Sequence, residues 1–403
     1  MKLGIVYHMP FWRAADGTLR DVEGSFARYV DSLAPYFDEI VLCVPVLAEG
    51  RGEGTPIRSA NVRLAPLPNF DGPVHFYPRL PLMIPRIIRF VRSVDVLHCR
   101  VPTPAAVFAS LFARLSGRPE FMLVVGDLQA LLPTMPYRGL KRVLWQAYTS
   151  LEELNVQWMA GHALTFANGG ALTVKHARPG RPVIQTQTTT IDAGAIDTRE
   201  DTCAAPRVRL LTVSRVDPRK GLRVLPAAVR ALVDRGCDVA LDIIGPTVGA
   251  PGEDERAAIE TAARTEGVAE RVSLVGPIPL ERLLPMYRNY DVFVLPTLPG
   301  EGIPRVLLEA MAAGLPIVTT RVAGIPSLIT HDTNGLLLES PSAAAVADAV
   351  TRIVRVRALR RRLIAGGYET ARGYTLQAQA ACMMRDVSAR LSLTLRQPTR
   401  SVA

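Results

Sequence analysis

The chain has 403 residues, of which 48% are hydrophobic and 21% are charged. This length and composition predict two globular domains and exclude a disordered tail, a collagen-like chain and a small disulfide scaffold. Lys and Arg total 47 against 37 Asp and Glu, a formal charge of +10. Only four of these cations are Lys, and the excess is spread over both halves of the chain. A diffuse excess of Arg argues against a nucleic-acid partner.

The cysteines and the N-terminus indicate a cytoplasmic protein. The five cysteines, an odd number, have neither metal-ligand nor redox spacing, which favours reduced thiols. The apolar stretch 1–7 soon meets charged residues, so it predicts a first strand and not a signal peptide. The longest uncharged run, 154–174, contains too many polar residues for a helix in lipid. We therefore expect a soluble cytoplasmic protein.

Short apolar runs alternate with helix-length segments along the chain. This alternation predicts an α/β protein with parallel, doubly wound sheets. The pattern weakens at 191–206, where we place the boundary between domains at 1–195 and 206–372. The predicted strands are 3–7, 40–44, 94–98, 121–125, 208–213, 239–244, 272–275, 292–295 and 316–319. The predicted helices include 26–36, 105–115, 222–235, 254–266 and 305–313.

The motifs that are absent narrow the chemistry. No G-x-G-x-x-G follows a strand, which argues against a nicotinamide dehydrogenase. The chain also lacks G-x-x-x-x-G-K-[ST], G-x-S-x-G and H-E-x-x-H. These absences argue against a P-loop NTPase, a serine esterase of the elbow type and a zinc protease.

Two cations bracket a turn-rich loop after the strand 208–213. Arg215 and Lys220 lie between the end of this strand and the start of a helix. Cations at the carboxyl end of a parallel strand suit a diphosphate, because Arg binds oxygens in a bidentate manner and Lys acts as a point charge. A solvated turn is the alternative.

A second segment, 301–314, combines a helix start with two carboxylates. Pro304 suits the first helical position, and the free N–H groups there form an anion site. Glu301 and Glu309 would be on the order of 10 Å apart at 1.5 Å rise per residue. This is wider than the ~5–5.5 Å of a retaining glycosidase, but it suits hydroxyl groups at the two ends of a nucleotide sugar. An amphipathic helix with exposed Glu is the alternative.

Taken together, the ordered motifs of the second half resemble the donor-binding half of retaining GT-B glycosyltransferases of family 4, the group 1 glycosyltransferases. The resemblance covers 207 to about 345 well and the remainder more loosely. It implies two Rossmann-like domains facing a cleft, with the acceptor bound by the first domain and a last helix, near 373–395, crossing back to it. The matching segments are S-R-x-D-x-R-K-G (214–221), V-x-L-x-G-x-I (272–278), D-V-F-V-L-P (291–296), E-G-I-P-R-V-L-L-E-A-M-A-A-G-L-P-I-V (301–318), G-I-P-S-L-I (324–329) and N-G-L-L-L (334–338).

The resemblance assigns roles to these residues. Arg215 and Lys220 would hold the donor diphosphate, with help from the backbone of Gly302 and Ile303. Glu301 would bind hydroxyls of the transferred sugar, and Glu309 those of the ribose. The base wall would be formed by Leu283, Met286 and Tyr287, for which core packing is an equal alternative. No cofactor and no metal are implied, because the donor is a nucleotide diphosphate sugar and the cations would neutralise its diphosphate.

The first half matches the family less closely. Gly24 occupies the place of the family's glycine-rich first loop, near the donor phosphate, although a helix-start glycine is the alternative. Many members carry a His where this chain has Gly126, which leaves Asp127 as the candidate catalytic polar group or as a helix cap. His98 and Arg100 end a strand, and we expect His98 to be packed. We expect the pair at 152–153 to form a solvated face.

The implied activity is transfer of a hexose from a nucleotide diphosphate sugar with retention of anomeric configuration. The acceptor would be a saccharide, a lipid-linked group or a small molecule, in glycan or cell-surface polysaccharide biosynthesis. Two other interpretations remain open. One is a catalytically inactive nucleotide-sugar-binding subunit of the same fold, and the other is an epimerase or phosphorylase of that fold.

Two basic and apolar stretches of the first half raise the question of membrane contact. Segment 84–92 places its apolar residues on one helical face, with Arg86, Arg89 and Arg92 on the other. It follows an apolar stretch that begins at 77, and a second basic and aromatic stretch spans 137–145. One alternative is a surface helix packed on the sheet. The other is contact with an anionic bilayer, which would make the protein peripheral on the inner face of the membrane.

Overall fold

The chain forms two compact units in a computed structural model. The structure describes residues 1–22, 24–48, 50, 54–70, 72–132, 138–196, 198–299, 303–322 and 324–398. The first unit comprises 1–188 and 379–403, and the second comprises 189–378. The chain thus passes from one unit to the other at 188/189, just before the weak stretch 191–206, and returns at 378/379.

The first unit is built on a seven-stranded sheet in which every pair of neighbours is parallel. A small antiparallel sheet of three short strands accompanies it. The strands are β1 (Lys2–Val6), β2 (Phe11–Arg13), β3 (Leu19–Asp21), β4 (Glu39–Pro45), β5 (Thr55–Pro56), β6 (Val62–Leu67), β7 (Val96–Val101), β8 (Glu120–Val124), β9 (Leu164–Asn168) and β10 (Ile184–Thr186). The helices are α1 (Ser25–Leu33), α2 (Gly72–Phe76), α3 (Leu80–Arg92), α4 (Pro104–Leu115), α5 (Leu128–Leu131), α6 (Gly139–Ala160) and α7 (Gly170–His176).

The second unit is built on a six-stranded sheet, again parallel throughout. Its strands are β11 (Val208–Val213), β12 (Val239–Ile244), β13 (Val272–Gly276), β14 (Val292–Leu295), β15 (Ile317–Thr320) and β16 (Leu336–Leu338). Its helices are α8 (Leu225–Asp234), α9 (Gly249–Thr265), α10 (Leu280–Met286), α11 (Arg305–Ala312), α12 (Ala343–Arg355) and α13 (Arg357–Gly373), and α14 (Leu376–Leu391) follows.

Helices cover both faces of the first sheet, which explains why its central strands are apolar without alternation. All six residues of β7 and all five of β8 are buried. One core lies between the sheet and α3, α4 and α6. The core on the other face is filled by α1 and by side chains of the last helix, α14. These last-helix residues are Ala380, Met383, Met384 and Val387.

Helix α3 has the amphipathic character that its sequence predicts. Ile87 and Val91 are buried in the core, whereas Arg86, Arg89 and Arg92 are exposed. The apolar face of α3 therefore packs inward, as expected of a surface helix.

Helix α6 is different, because one of its faces shows apolar side chains to solvent. At 100° per residue these side chains fall within a sector of about 100° along the whole helix. We call this set the α6 stripe; its members, 39–74% exposed, are Leu140, Val143, Leu144, Leu151, Leu154 and Trp158. Across the described ranges, no helix combines the length and the apolarity needed to cross a membrane.

Each sheet has one point at which the direction of winding reverses. In the first sheet, the reversal lies between β1 and β7. The chain runs outward from β1 through β4 to β6 on one side, and from β7 through β8 and β9 to β10 on the other. In the second sheet, the reversal lies between β11 and β14. Ligands of doubly wound sheets bind outside the carboxyl ends of the strands at such switch points. In the first unit, a ligand site is therefore expected at the loops after β1 and β7. In the second unit, one is expected at the loops after β11 and β14.

Candidate active site

The loop after β11 is held rigidly against the end of β14. Asp217 accepts a hydrogen bond from the backbone N–H of Arg219 at 2.9 Å and also pairs with its guanidinium. Gly221 has φ +65°, and a Cβ there would lie 2.1 Å from the carbonyl oxygen of Pro296. Only glycine fits this close approach. Leu298 in turn donates its N–H to the carbonyl of Arg219 at 2.8 Å.

The cations of this loop differ in how they are engaged. The guanidinium of Arg219 donates a hydrogen bond to Asp217 at 2.6 Å, and this bond is the main cause of the lowered pKa of Asp217. Arg215 is exposed, and no hydrogen bond or ion pair of its guanidinium occurs among the described residues. Lys220 is only 8% exposed. The structure therefore places Arg215 at the switch point with its hydrogen-bonding capacity available to an anion.

Glu309 is a buried carboxylate and not the exposed residue of an amphipathic helix. It lies in α11, which begins at Arg305 as the predicted helix 305–313 does, with Pro304 as its N-cap and not as its first helical residue. Its side chain accepts hydrogen bonds from the Thr190 hydroxyl at 2.6 Å and from the Tyr287 hydroxyl at 2.7 Å. The buried carboxylate is thus held in one orientation.

The residues expected to form a base wall are mostly enclosed. Tyr287 has no exposed surface, and Leu283 is also buried in the core between the sheet and α11. Burial and the charge of Glu309 raise the pKa of Tyr287 well above its usual range. Tyr287 is therefore packed in the core, which is one of its two predicted alternatives. Its hydroxyl also orients Glu309.

Two of the candidate donor-binding residues, Glu301 and Gly302, lie outside the described residues. Ile303, which follows them, is half-buried and packs against the same core as Leu283. The role of the backbone at 302–303 therefore stays a prediction.

Gly24 lies at the start of α1, as the sequence predicts, with φ +84°. Its N–H donates to Asp21 at 3.0 Å, and the other oxygen of Asp21 accepts from Phe26 and Ala27 at 2.9 and 2.8 Å. Asp21 is fully buried. A carboxylate of the chain thus already binds the N–H groups at this helix start. Asp21 was not predicted from the sequence, where its signal is an Asp shortly before a helix.

Asp127 caps a helix, one of its two predicted alternatives. It accepts from the N–H groups of Gln129 and Ala130 at 2.9 and 3.2 Å. Lys175 binds its other oxygen at 2.7 Å. Burial would raise the pKa of Asp127, but the hydrogen bond from Lys175 and those from the backbone lower it. Asp127 is therefore an ionised, positioned carboxylate.

The expectation of a solvated face at 152–153 was wrong. Glu152 is only 2% exposed, and burial raises its pKa to about 7 although Tyr77 donates a hydrogen bond to it. Glu153 is partly buried and binds Lys175 at 2.8 Å. The charge pattern of α6 misled the prediction because its exposed face is apolar.

His98 is packed, as expected. Its ring stacks on Phe121 with 4.3 Å between centroids, and its Nε2 shares a hydrogen bond with the Tyr29 hydroxyl. Burial lowers the pKa of His98 to about 3. His98 is therefore neutral at physiological pH.

Two doubly wound parallel units, with a cation-bearing loop at a switch point, define the GT-B class of fold. Residues 207–355 match the family model described as "Glycosyl transferases group 1". This region of the chain is therefore similar to that family. It contains the loop of Arg215 and Lys220 and the helix of Glu309.

Individual proteins show the same likeness. The chain is 36% identical over 151 residues to the amylovoran biosynthesis glycosyltransferase AmsK of Erwinia amylovora, covering 36% of each chain. It is 31% identical over 177 residues to a phosphatidyl-myo-inositol mannosyltransferase of Mycobacterium leprae, covering 44% of this chain and 45% of the relative. These matches thus span less than half of the relatives' length.

A solved structure extends the likeness in fold to almost the whole chain. The crystal structure of Anabaena HepE in complex with UDP and glucose has a TM-score of 0.67 at 16% identity. The match covers 96% of this chain and 100% of HepE. It supports the GT-B fold of both units.

Proposed function

We propose that the protein is a glycosyltransferase that uses a nucleotide diphosphate sugar. One observation carries the proposal: the switch point of the second sheet combines the unengaged cation Arg215, the buried cation Lys220 and the oriented carboxylate Glu309. Cations there suit a diphosphate, and a buried carboxylate suits ribose hydroxyls. Anabaena HepE, whose fold is similar, was solved with UDP and glucose.

Transfer would proceed with retention and without a covalent enzyme intermediate, as the resemblance to family 4 implies. In this route the diphosphate leaves, its oxygen takes the acceptor proton, and the acceptor attacks from the same face. Arg215 and Lys220 would stabilise the charge that develops on the leaving diphosphate. They would do so without a metal or cofactor. Glu301 would bind the transferred hexose.

The acceptor would be a saccharide, a lipid-linked group or a small molecule. Relatives with matching segments are named for amylovoran biosynthesis and for mannosyl transfer to phosphatidyl-myo-inositol. A role in glycan or cell-surface polysaccharide synthesis is the simplest extension of these names to this chain.

A donor panel tests the proposal. UDP-, GDP-, ADP- and TDP-sugars are screened by thermal shift, and a ligand at ~100 times its Kd should stabilise the protein by about 2.7 kcal/mol. Release of free nucleoside diphosphate from a stabilising sugar would distinguish an enzyme from an inactive binding subunit. Product NMR would distinguish transfer from epimerisation or phosphorolysis. Failure of every nucleotide to stabilise the protein would contradict the proposal.

The α6 stripe supports peripheral contact with an anionic membrane, which would present a lipid-linked acceptor. Helices α3, α4 and α6 contribute to one core on one face of the first sheet. The exposed Arg86, Arg89 and Arg92 of α3 and the apolar α6 stripe are thus on the same side of that sheet. Cations together with exposed apolar side chains are typical of a surface that binds anionic lipid. Tyr137, which belongs to the second stretch 137–145, lies outside the described residues.

A further inference from the structure

Arg100 is a buried cation, and the described part of the chain provides no counterion for it. It lies near the end of β7, beside β1 at the switch point of the first sheet. Its side chain is only 5% exposed, and its Nε and Nη1 atoms are fully enclosed without a hydrogen-bond partner. Within the described ranges, no carboxylate oxygen lies within 4.0 Å of its nitrogens.

Aromatic rings surround the guanidinium. Its central carbon lies 5.0 Å from the ring centroid of Tyr7, 5.3 Å from that of Phe26 and 4.6 Å from that of Tyr29. Cation–π contacts of this kind are attractive, but they are weaker than the cost of removing a charge from water. The rings hold the side chain in place and leave its hydrogen-bonding capacity unused.

The neighbouring titratable groups do not neutralise Arg100. Burial lowers the pKa of His98 to about 3 and that of His8, which follows β1, to about 4. The positive charge of Arg100 contributes to both shifts. Both imidazoles are therefore uncharged near neutral pH, and the local charge stays positive.

The start of α4 is a separate positive feature at the end of β7. Thr103 is the N-cap of this twelve-residue helix, but its hydroxyl caps no N–H group. The Thr103 hydroxyl is buried and has no hydrogen-bond partner. A helix N-terminus favours an anion through its free N–H groups and its dipole. Helix α4, however, packs on the face of the sheet opposite the one on which Arg100 contacts Tyr7 and Phe26, so the α4 start does not share a site with the guanidinium. Arg100 itself lies at the carboxyl end of β7, where a ligand is expected.

We propose that Arg100 binds an anionic group, a carboxylate or a phosphate, on the acceptor substrate. The acceptor part of this inference depends on the proposed function. A planar guanidinium binds either oxyanion in a bidentate manner. The acceptor class that fits is a sugar acid or a sugar phosphate, free or lipid-linked, rather than a neutral sugar.

The test uses the full chain and three probes: glucuronate, inorganic phosphate and glucose. Arg215→Ala/Lys220→Ala is the background for all three, because it removes the cations that would bind phosphate at the donor site. We expect at least one anion to raise Tm, whereas glucose does not. Arg100→Met should abolish this response. The matched control Arg63→Met, which removes an exposed cation of the same unit, should retain it.

The two anions distinguish the two sources of negative charge. A larger rise in Tm with glucuronate identifies a carboxylate acceptor, and a larger rise with phosphate identifies a phosphorylated one. No response to either anion, or an equal response in Arg100→Met, would overturn the proposal. UDP added to Arg100→Met in the otherwise natural chain should still raise Tm. If UDP does not raise the Tm of the natural chain, that result counts against the proposed function and not against the role of Arg100.

Stability separates binding from a structural role. Arg100→Met removes an uncompensated buried charge, so its Tm in the absence of ligand should equal or exceed that of the natural chain. A clear fall in Tm would mean that the ring contacts hold Arg100 for stability, which contradicts the proposal. Arg100→Lys is a second variant, because Lys keeps the charge but loses the planar fork. The anions should raise the Tm of Arg100→Lys less than that of the chain that keeps Arg100. An equal rise in Tm would also overturn the proposal.

Discussion

The hydroxyl of Tyr287 donates a 2.7 Å hydrogen bond to Oε2 of Glu309, and both residues are buried. Tyr287→Phe removes this bond and leaves the carboxylate with one partner fewer. A hydrogen bond to a charged group contributes ~1.5–3 kcal/mol, so we expect a fall of that order in the free energy of unfolding. The stabilisation by a bound nucleotide should also fall, because Glu309 would lose its orientation.

Tyr290→Phe is the matched control for this substitution. The Tyr290 hydroxyl donates to Asp242 at 2.8 Å, away from the switch point. Its loss should lower the free energy of unfolding without changing the thermal shift caused by nucleotide. An equal loss of nucleotide response in both variants would contradict the role of Tyr287.

Arg215→Ala/Lys220→Ala should weaken binding of the nucleoside diphosphate. Each lost charge-assisted contact should cost about 1.5–3 kcal/mol. Calorimetric titration with the nucleotide that stabilises the natural chain measures the change. Arg209→Ala, at the opposite end of the same strand, is the control and should leave affinity unchanged. Unchanged affinity in the double variant would place the diphosphate elsewhere.

Glu301→Ala should separate binding of the sugar from binding of the nucleotide. We expect most transfer activity to be lost while affinity for the bare nucleoside diphosphate is kept, since Glu301 would contact only the transferred sugar. Nucleotide release assays and titration with the nucleoside diphosphate measure the two effects. Loss of both to the same extent would disprove this assignment.

Asp201 should make the second unit sensitive to acid. Burial alone would raise the pKa of Asp201, but hydrogen bonds from Arg360 and Arg357 outweigh it and lower this pKa to about 2. Against an ordinary value of 3.8, the shift corresponds to about 2 kcal/mol. This stability is fully present above pH ~4 and is lost as the pH falls towards 2.

Asp201→Asn should therefore lower the free energy of unfolding at pH 7 by about 2 kcal/mol and flatten its dependence on pH below ~4. Denaturant unfolding at several pH values measures both. Glu200→Gln is the control, because the Glu200–Arg361 pair is exposed and should contribute little. An unchanged acid profile in Asp201→Asn would show that other carboxylates dominate.

Membrane contact predicts sedimentation with anionic vesicles at low salt. Changing Arg86, Arg89 and Arg92 to Glu should abolish it while nucleotide binding is kept, because each cation near the surface adds about 1 kcal/mol. Leu144→Ser/Leu151→Ser should weaken it through the α6 stripe. Arg256→Glu/Arg264→Glu on α9 is the control for net charge. If the natural chain does not sediment with phosphatidylglycerol vesicles, a soluble acceptor is favoured.

The sequence predicts the central strands well because they are buried on both faces. The strands at 208–213, 239–244 and 292–295 have the predicted bounds. The prediction missed β6 and β9, because β6 has an arginine and a proline within its apolar run, and β9 lies inside a longer uncharged stretch. The local pattern of apolar residues is sufficient to predict a strand only where the strand is buried along its whole length.

The candidate site was predictable in part. The loop of Arg215 and Lys220 follows from local chemistry at the end of a strand. The partners of Glu309 do not, because Thr190 is 119 residues away in the chain and reaches it only through the fold. The same limit applies to Arg100, because the absence of a carboxylate beside it among the described residues depends on every element packed around it.

The first unit is assembled from two separate pieces of chain. Residues 189–378 form the second unit without interruption, whereas 379–391 complete the first unit by filling the core beside α1. During synthesis the N-terminus emerges first, at ~5–20 residues per second. The first unit is therefore incomplete, with one apolar sheet face covered only in part by α1, until the whole second unit has been made. The first unit is therefore synthesised in part before the second unit but is completed after it.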